Sequence, residues 1–77
     1  MQEAKRLLAN TLRIDPKRIG DEATMRDLPQ WDSLAHMELI ALVEECLATT
    51  LSMDEILEIT TVPGLARVLA SKRKGSP

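Results

Sequence analysis

The stretch "QWDSLAHMELIALVEE", residues 30–45, contains the start of a long amphipathic helix. Asp32 and Ser33 are both good N-cap residues, and no Gly or Pro interrupts the chain as far as Leu47. At about 100° per residue, one apolar stripe is expected to face the core: Ala35, Leu39, Leu42, Val43 and Cys46. The opposite side carries apolar residues beside glutamates: Leu34, Met37, Glu38, Ala41, Glu44 and Glu45. The helix is therefore predicted to have a core face and a partly apolar outer face.

Further helices are predicted on both sides of this one. Apolar spacing in "EAKRLLANTLRI" indicates a first helix from Gln2 to Arg13, which ends before Asp15–Pro16 because a residue preceding proline avoids the helical region. "DEILEI" indicates a short third helix opened by Ser52 or Met53, after Leu51 anchors the linker. Thr61 is expected to cap a last helix with Pro63 in its first turn. Its apolar stripe is Val62, Leu65, Val68 and Leu69.

About sixteen residues, from Pro16 to Trp31, connect the first two long helices, which is long for a loop in a compact domain. Four apolar residues are predicted to hold this loop against the helices: Ile19, Met25, Leu28 and Trp31. The fold class is therefore predicted as all-α, a small four-helix bundle with three longer helices, a short third helix and a long first loop. Residues 1–77 are expected to be one domain, with 71–77 as a flexible basic tail.

Composition excludes several classes of protein. The 77 residues include no Phe or Tyr, one Trp and one Cys, so an aliphatic core is expected, with no internal disulfide and no cysteine-based metal site. No apolar run approaches the length of a membrane span, and the first residues lack the apolar stretch of a signal peptide. A monomeric, cytoplasmic protein that does not contact membranes is expected.

Charge is distributed unevenly along the chain. Residues 27–66 hold eight acidic residues and no Lys or Arg, whereas the two ends are basic. This pattern argues against nucleic acid as the main partner, since phosphate binding needs clustered basic residues. An acidic centre fits protein partners with basic patches, although the charge pattern taken alone favours an ordinary solvated surface.

"DSLAHMELIALVEE" resembles the signature of acyl carrier proteins, the small four-helix carriers of fatty-acid and polyketide synthesis. Glu38, Leu39 and the pair Glu44 and Glu45 match the family pattern, as does "ITTV" at 59–62. The likeness extends from the first helix to Ala70. Many members have a glycine-containing segment before Asp-Ser-Leu, where this chain has "PQW", and the departure weakly favours a specialised carrier.

The resemblance implies that Ser33 carries a 4′-phosphopantetheine arm taken from coenzyme A. It also implies that Asp32 helps to position the serine and the magnesium ion during transfer. The local physics agrees, because a helix start offers free N–H groups and a positive dipole end to a phosphodiester. No base for Ser33 is predicted, since His36 is expected to be structural or solvent-facing, so a non-catalytic carrier is expected and the transferase would activate the hydroxyl. The alternative is that Asp32 and Ser33 only cap the helix.

A carrier must dock briefly on several enzymes. The expected partners are a phosphopantetheinyl transferase and acyl-loading and acyl-transfer enzymes with basic patches, steered by glutamates. The predicted docking residues are Leu34, Met37, Glu38, Ala41, Glu44, Glu45 and Ile56. The alternative for Met37 and Ile56 is that they pack against each other.

Three other residues are not expected to take part in any chemical reaction. His36 is predicted to be a structural or solvent-facing residue, and Cys46 a buried apolar one. Trp31 is expected to pack over the core end of the second helix, with a position beside the arm as the alternative.

Two rival functions stay open. One is a carrier of amino acids, of the peptidyl or D-alanyl kind, although "PQWDS" lacks the glycines common at peptidyl sites. The other is a helical interaction module that is never modified, against which the retained Asp-Ser-Leu argues. Met1 and the short tails lead us to expect a free-standing carrier. The sequence does not identify the cargo, the pathway or the individual partner enzymes.

Overall fold

The computed structural model describes residues 2–74, including the side chains of residues 2–72. Its elements are α1 (Gln2–Leu12), a short 3-10 turn (Pro16–Arg18), α2 (Ser33–Leu47), α3 (Met53–Glu58) and α4 (Val62–Lys74). Helices α1, α2 and α4 pack against one another, and α3 packs against α4. Over the described range the only β pairing is an isolated bridge. The predicted all-α, four-helix bundle with a long first loop is confirmed.

The core is aliphatic apart from one indole, as the composition requires. Leu8 of α1, Leu39 of α2 and Leu65 of α4 are completely buried in it. The predicted apolar stripe of α4 is confirmed, since Val62, Val68 and Leu69 are buried beside Leu65.

The long loop is held down as predicted. Ile19 and Trp31 are buried, and Met25 and Leu28 are partly buried against the core. Backbone hydrogen bonds add to this anchoring: the Met25 N–H donates to the Thr60 carbonyl at 3.0 Å, and the Val62 N–H donates to Ala23 at 2.9 Å. The loop is therefore fixed to the α3–α4 corner before it delivers the chain to α2.

The start of α4 lies unusually close to the end of α3. The predicted Thr61 cap is confirmed, since its Oγ1 accepts the Gly64 N–H at 2.9 Å. A Cβ on residue 64 would lie 1.9 Å from the Glu58 carbonyl oxygen, so only glycine allows this approach.

Polar contacts hold α3 in place, since none of its residues is fully buried. Ser52 and Glu55 form a capping box at its start. Two ion pairs join it to α4: Lys72 to Glu55 at 3.0 Å and Arg67 to Glu58 at 3.1 Å. Hydrogen bonds from the Ser52 backbone and from Lys72 lower the pKa of Glu55 below its ordinary value of 4.5.

The predicted core face of α2 is wrong in part. Leu39 and Val43 are buried and Ala35 packs against the core, but Cys46 is exposed and Leu42 is only half-buried. Ile40 and Leu47 pack against the core instead. The buried stripe is thus rotated by roughly 50° from the predicted one. The reason is that α2 has apolar residues around most of its circumference, so α1 and α4 determine which of them are covered.

Helix α4 continues to Lys74, so residues 71–74 are helical rather than part of a tail. This segment contains good helix formers, and cations at a helix C-terminus complement the macrodipole. The rest of the predicted tail, residues 75–77, lies outside the described residues.

Candidate functional site

Ser33 is the first residue of α2 and is exposed to solvent. Its hydroxyl makes no hydrogen bond with any residue in the described part of the chain. The backbone N–H groups of Ser33 and Leu34 belong to the first helical turn, which has no intrahelical acceptors for them. An accessible hydroxyl therefore lies beside free N–H donors at the positive end of a helix dipole.

Asp32 provides the cap. Its backbone is extended, and its Oδ1 accepts the Ala35 N–H at 2.9 Å, while its carbonyl accepts the His36 N–H at 2.8 Å. Of the two residues predicted as possible caps, Asp32 caps the helix and Ser33 does not. The hydroxyl is thus available for other chemistry.

His36 joins three segments around this helix start. The indole Nε1–H of Trp31 donates to His36 Nδ1 at 3.2 Å, and His36 Nε2 lies 3.3 Å from the Ile56 carbonyl oxygen. The prediction of a structural histidine is confirmed, but sequence reasoning did not anticipate its two partners. Trp31 is only 2% exposed, so the packing interpretation of this residue is also confirmed. The shift of the buried stripe explains why His36 has these partners, because it brings His36 toward the core.

The outer face of α2, which we define as Leu34, Met37, Glu38, Ala41 and Glu45, is open to solvent as predicted. Leu34 is 67% exposed and Met37 is 70% exposed. Exposed apolar side chains bordered by carboxylates on one helix form a surface suited to a small contact with a basic partner.

Two predicted docking residues are engaged elsewhere. The Glu44 Oε2 accepts the Leu51 N–H at 2.9 Å, so this half-buried carboxylate fastens the α2–α3 linker to the end of α2. Ile56 is partly buried against the core, and its carbonyl oxygen faces His36. Both residues therefore support the fold around the outer face and contribute little exposed surface.

Sequence reasoning missed two exposed apolar residues on α3. Met53 is 69% exposed and Leu57 is 62% exposed. They are four residues apart, so they lie on one side of this short helix. That spacing was the signal that could have found them.

Within residues 2–74, no group of three or more His, Cys, Asp or Glu side chains is placed to hold a metal ion. None of the helices described is both long enough and apolar enough to span a bilayer.

The chain is similar to a known family and to part of a known protein. The model of a family described as "Phosphopantetheine attachment site" matches residues 2–69. A segment of 44 residues is 46% identical to part of Surfactin synthase subunit 1 from Bacillus subtilis (strain 168). That segment is 57% of this chain and 1% of the relative, so the chain corresponds to a very small part of that protein.

The matched family has a defined function. Proteins of this family carry 4′-phosphopantetheine covalently, and their carrier domains are non-catalytic scaffolds that work with a phosphopantetheinyl transferase and biosynthetic enzymes. The match spans nearly all of the helical bundle, including the start of α2. The chain therefore belongs to the phosphopantetheine-attachment family of carrier domains.

Proposed function

We propose that the Ser33 Oγ is the attachment point for 4′-phosphopantetheine. The observation that carries this proposal is the division of roles at the start of α2: Asp32 caps the helix, whereas the Ser33 hydroxyl is exposed and makes no described hydrogen bond. The site fits the group, since a phosphodiester on Ser33 would lie beside the free N–H groups of the first turn.

Loading would consist of one exchange of bonds at phosphorus. The Ser33 Oγ forms a bond to the phosphorus that bears the pantetheine in coenzyme A, and the bond from that phosphorus to the oxygen of the adenosine 3′,5′-bisphosphate breaks. The hydroxyl proton must leave to a base of the transferase. His36, three residues away, does not fit that role because both of its ring nitrogens already face partners. Asp32 keeps Oδ2 outside the capping bond, which supports its predicted assistance to the transfer.

The outer face of α2 supports the proposed docking of the transferase and biosynthetic enzymes. Glu38 and Glu45 are exposed and would steer partners with basic patches, while Leu34, Met37 and Ala41 would supply the apolar contact. When bound, the arm supplies a thiol on a long tether, which holds cargo as a thioester and raises its effective concentration at each docked enzyme. That the protein is monomeric and cytoplasmic stays a prediction from the sequence.

The proposed cargo is an acyl group of fatty-acid, polyketide or related specialised biosynthesis, which the acidic α2 supports. An amino acid or peptide is the second candidate. The similarity to a subunit of surfactin synthase is the reason to keep it as a candidate. Incubating the arm-bearing protein separately with acyl- and aminoacyl-loading enzymes, and measuring its intact mass, distinguishes the two cargoes.

The attachment proposal is tested by intact-mass measurement after incubation with coenzyme A, Mg²⁺ and a broad-specificity phosphopantetheinyl transferase. The wild-type protein should gain the mass of one arm, and Ser33→Ala should gain none. Ser52→Ala is the matched control, because Ser52 is another exposed serine at a helix start, and it should gain the arm normally. An unmodified wild-type protein, with the transferase active on a control carrier, would contradict the proposal.

A further inference from the structure

We propose that His36 is a positioning residue for arm attachment: its two hydrogen bonds fix the junction between the long loop and α2, where Ser33 lies. This inference rests on the proposed function, in which Ser33 receives the arm. The residues involved are Trp31, His36 and Ile56, and they come from the loop, α2 and α3.

The hydrogen-bond chemistry sets the direction of both contacts. An indole Nε1–H can only donate, so His36 Nδ1 must be the acceptor of the Trp31 bond at 3.2 Å. The neutral ring then carries its hydrogen on Nε2, which donates to the Ile56 carbonyl oxygen at 3.3 Å. One imidazole therefore satisfies a buried donor on one side and a backbone acceptor on the other.

The geometry places this link around Ser33. Trp31 lies two residues before Ser33 and is 2% exposed, while His36 lies three residues after it, on the next turn of α2. The bond between them closes the junction across Asp32, whose side chain and carbonyl already bond to Ala35 and His36. The loop side and the helix side of Ser33 are thus held to each other by side chains as well as by the cap.

The second bond extends the link to α3. The contact from His36 Nε2 to the Ile56 carbonyl oxygen ties α3 to the first turns of α2. A transferase that binds around Ser33 would find the backbone between the long loop and α2 already in a fixed conformation. Loss of such preorganisation lowers the rate of a reaction even where the fold is kept.

Three substitutions at this link test the proposal. The glutamine side chain in His36→Gln has an acceptor oxygen and an N–H donor, so it can replace the bonds to Trp31 and Ile56. His36→Leu removes both and leaves the Trp31 N–H unpaired, whereas the double variant Trp31→Phe with His36→Leu removes the donor as well. The double variant therefore separates the cost of an unpaired buried group from the loss of positioning.

Two measurements are made on each variant that keeps the helical circular dichroism spectrum. The first is the rate of arm transfer from coenzyme A, resolved into kcat and KM for the carrier. The second, which needs no loaded protein, is the hydrogen exchange of the Trp31 indole N–H by NMR. We expect a slowly exchanging indole N–H and normal transfer in wild type and His36→Gln. In His36→Leu we expect fast exchange, and in both His36→Leu and the double variant a kcat/KM lower on the order of tenfold.

Wild-type transfer rates in the folded double variant would overturn the positioning role, as would failure of His36→Gln to restore the rate. If wild-type protein takes up no arm at all, the proposed function fails, and the NMR exchange data then report only on the hydrogen bond. The two failures are therefore distinguishable.

Discussion

The Asp32 Oδ1 atom lies 2.9 Å from the Ala35 backbone nitrogen and closes the N-terminal end of α2. The neighbouring hydroxyl of Ser33 is left exposed. Two adjacent polar residues, each of which could cap a helix, therefore have different roles. If the arm is attached at Ser33 as we propose, stability and arm attachment should respond to different substitutions.

The first prediction concerns stability. Asp32→Ala should lower the free energy of unfolding by about 1 kcal/mol, because the Ala35 N–H loses its acceptor. Ser33→Ala should change it by less than about 0.5 kcal/mol, since the hydroxyl is exposed and makes no described hydrogen bond. Urea denaturation of both variants measures the difference. A larger loss from Ser33→Ala would mean that Ser33 shares in capping.

The second prediction concerns docking. Glu38→Lys and Glu45→Lys should each slow arm transfer by roughly tenfold at low ionic strength, because they reverse charge on the outer face of α2. Salt should reduce the difference from wild type, since exposed charges are screened. Glu22→Lys, in the exposed part of the long loop, makes the same net-charge change and is the control. Equal rates for all three variants at low salt would refute steering by α2.

The third prediction distinguishes Glu44 from its neighbour. Glu44→Ala should lower the free energy of unfolding by about 1–2 kcal/mol, because the Leu51 N–H is partly buried and loses its acceptor. Glu45→Ala, at an exposed position, should change it by less than about 0.5 kcal/mol. Thermal or urea unfolding compares the two. If both variants were equally stable, Glu44 would belong with the docking residues, as the sequence pattern first indicated.

The sequence was sufficient for the bounds of α2 and for the loop anchors. Asp32 and Ser33 are a strong start signal, and buried Ile19 and Trp31 are two of the four bulky apolar residues in a mostly polar loop. The sequence was not sufficient to predict how α2 is rotated about its axis. Cys46 and Leu47 are both apolar neighbours on a helix with apolar residues on several sides, and only the positions of α1 and α4 decide which is covered.

The candidate site, like the fold, was predictable from the sequence only in part. The pattern around Ser33 predicted an exposed serine at a helix start, which is confirmed, because a helix start depends on local sequence; modification of that serine stays a prediction. The pattern did not predict the partners of His36 or Glu44, since Ile56 lies twenty residues from His36 along the chain. A contact of that kind depends on how α3 is placed, which short-range spacing does not encode.

The fourth prediction concerns the end of α2. Ala48 has φ 53°, in the left-handed region where a Cβ is unfavourable. Ala48→Gly should therefore raise the free energy of unfolding by about 0.5–1 kcal/mol. Ala41→Gly, inside α2 and exposed, is the matched control and should lower it by about 1 kcal/mol. A destabilised Ala48→Gly would show that residue 48 does not adopt this conformation in solution.

The fifth prediction concerns pH. Bonds from Ser52 and Lys72 lower the pKa of Glu55, so its stabilising contribution is complete above its ordinary value of 4.5 and is lost as pH falls through the lowered value. Glu55→Gln should thus be less stable than wild type at about pH 7, with the difference shrinking toward about pH 3. Glu38→Gln is the control for an exposed glutamate. Lys5 also lowers the pKa of Asp21, but wild type and variant share that effect. Parallel stability curves for wild type and Glu55→Gln would contradict the role given to Glu55.

The most direct test of the account is to locate the arm on the chain. Protein loaded by a transferase is digested, and tandem mass spectrometry assigns the phosphopantetheine to a single residue. We predict that the arm is on Ser33 and that Ser52 and Ser71 are unmodified. An arm on another residue, or loading that persists in Ser33→Ala, would contradict it.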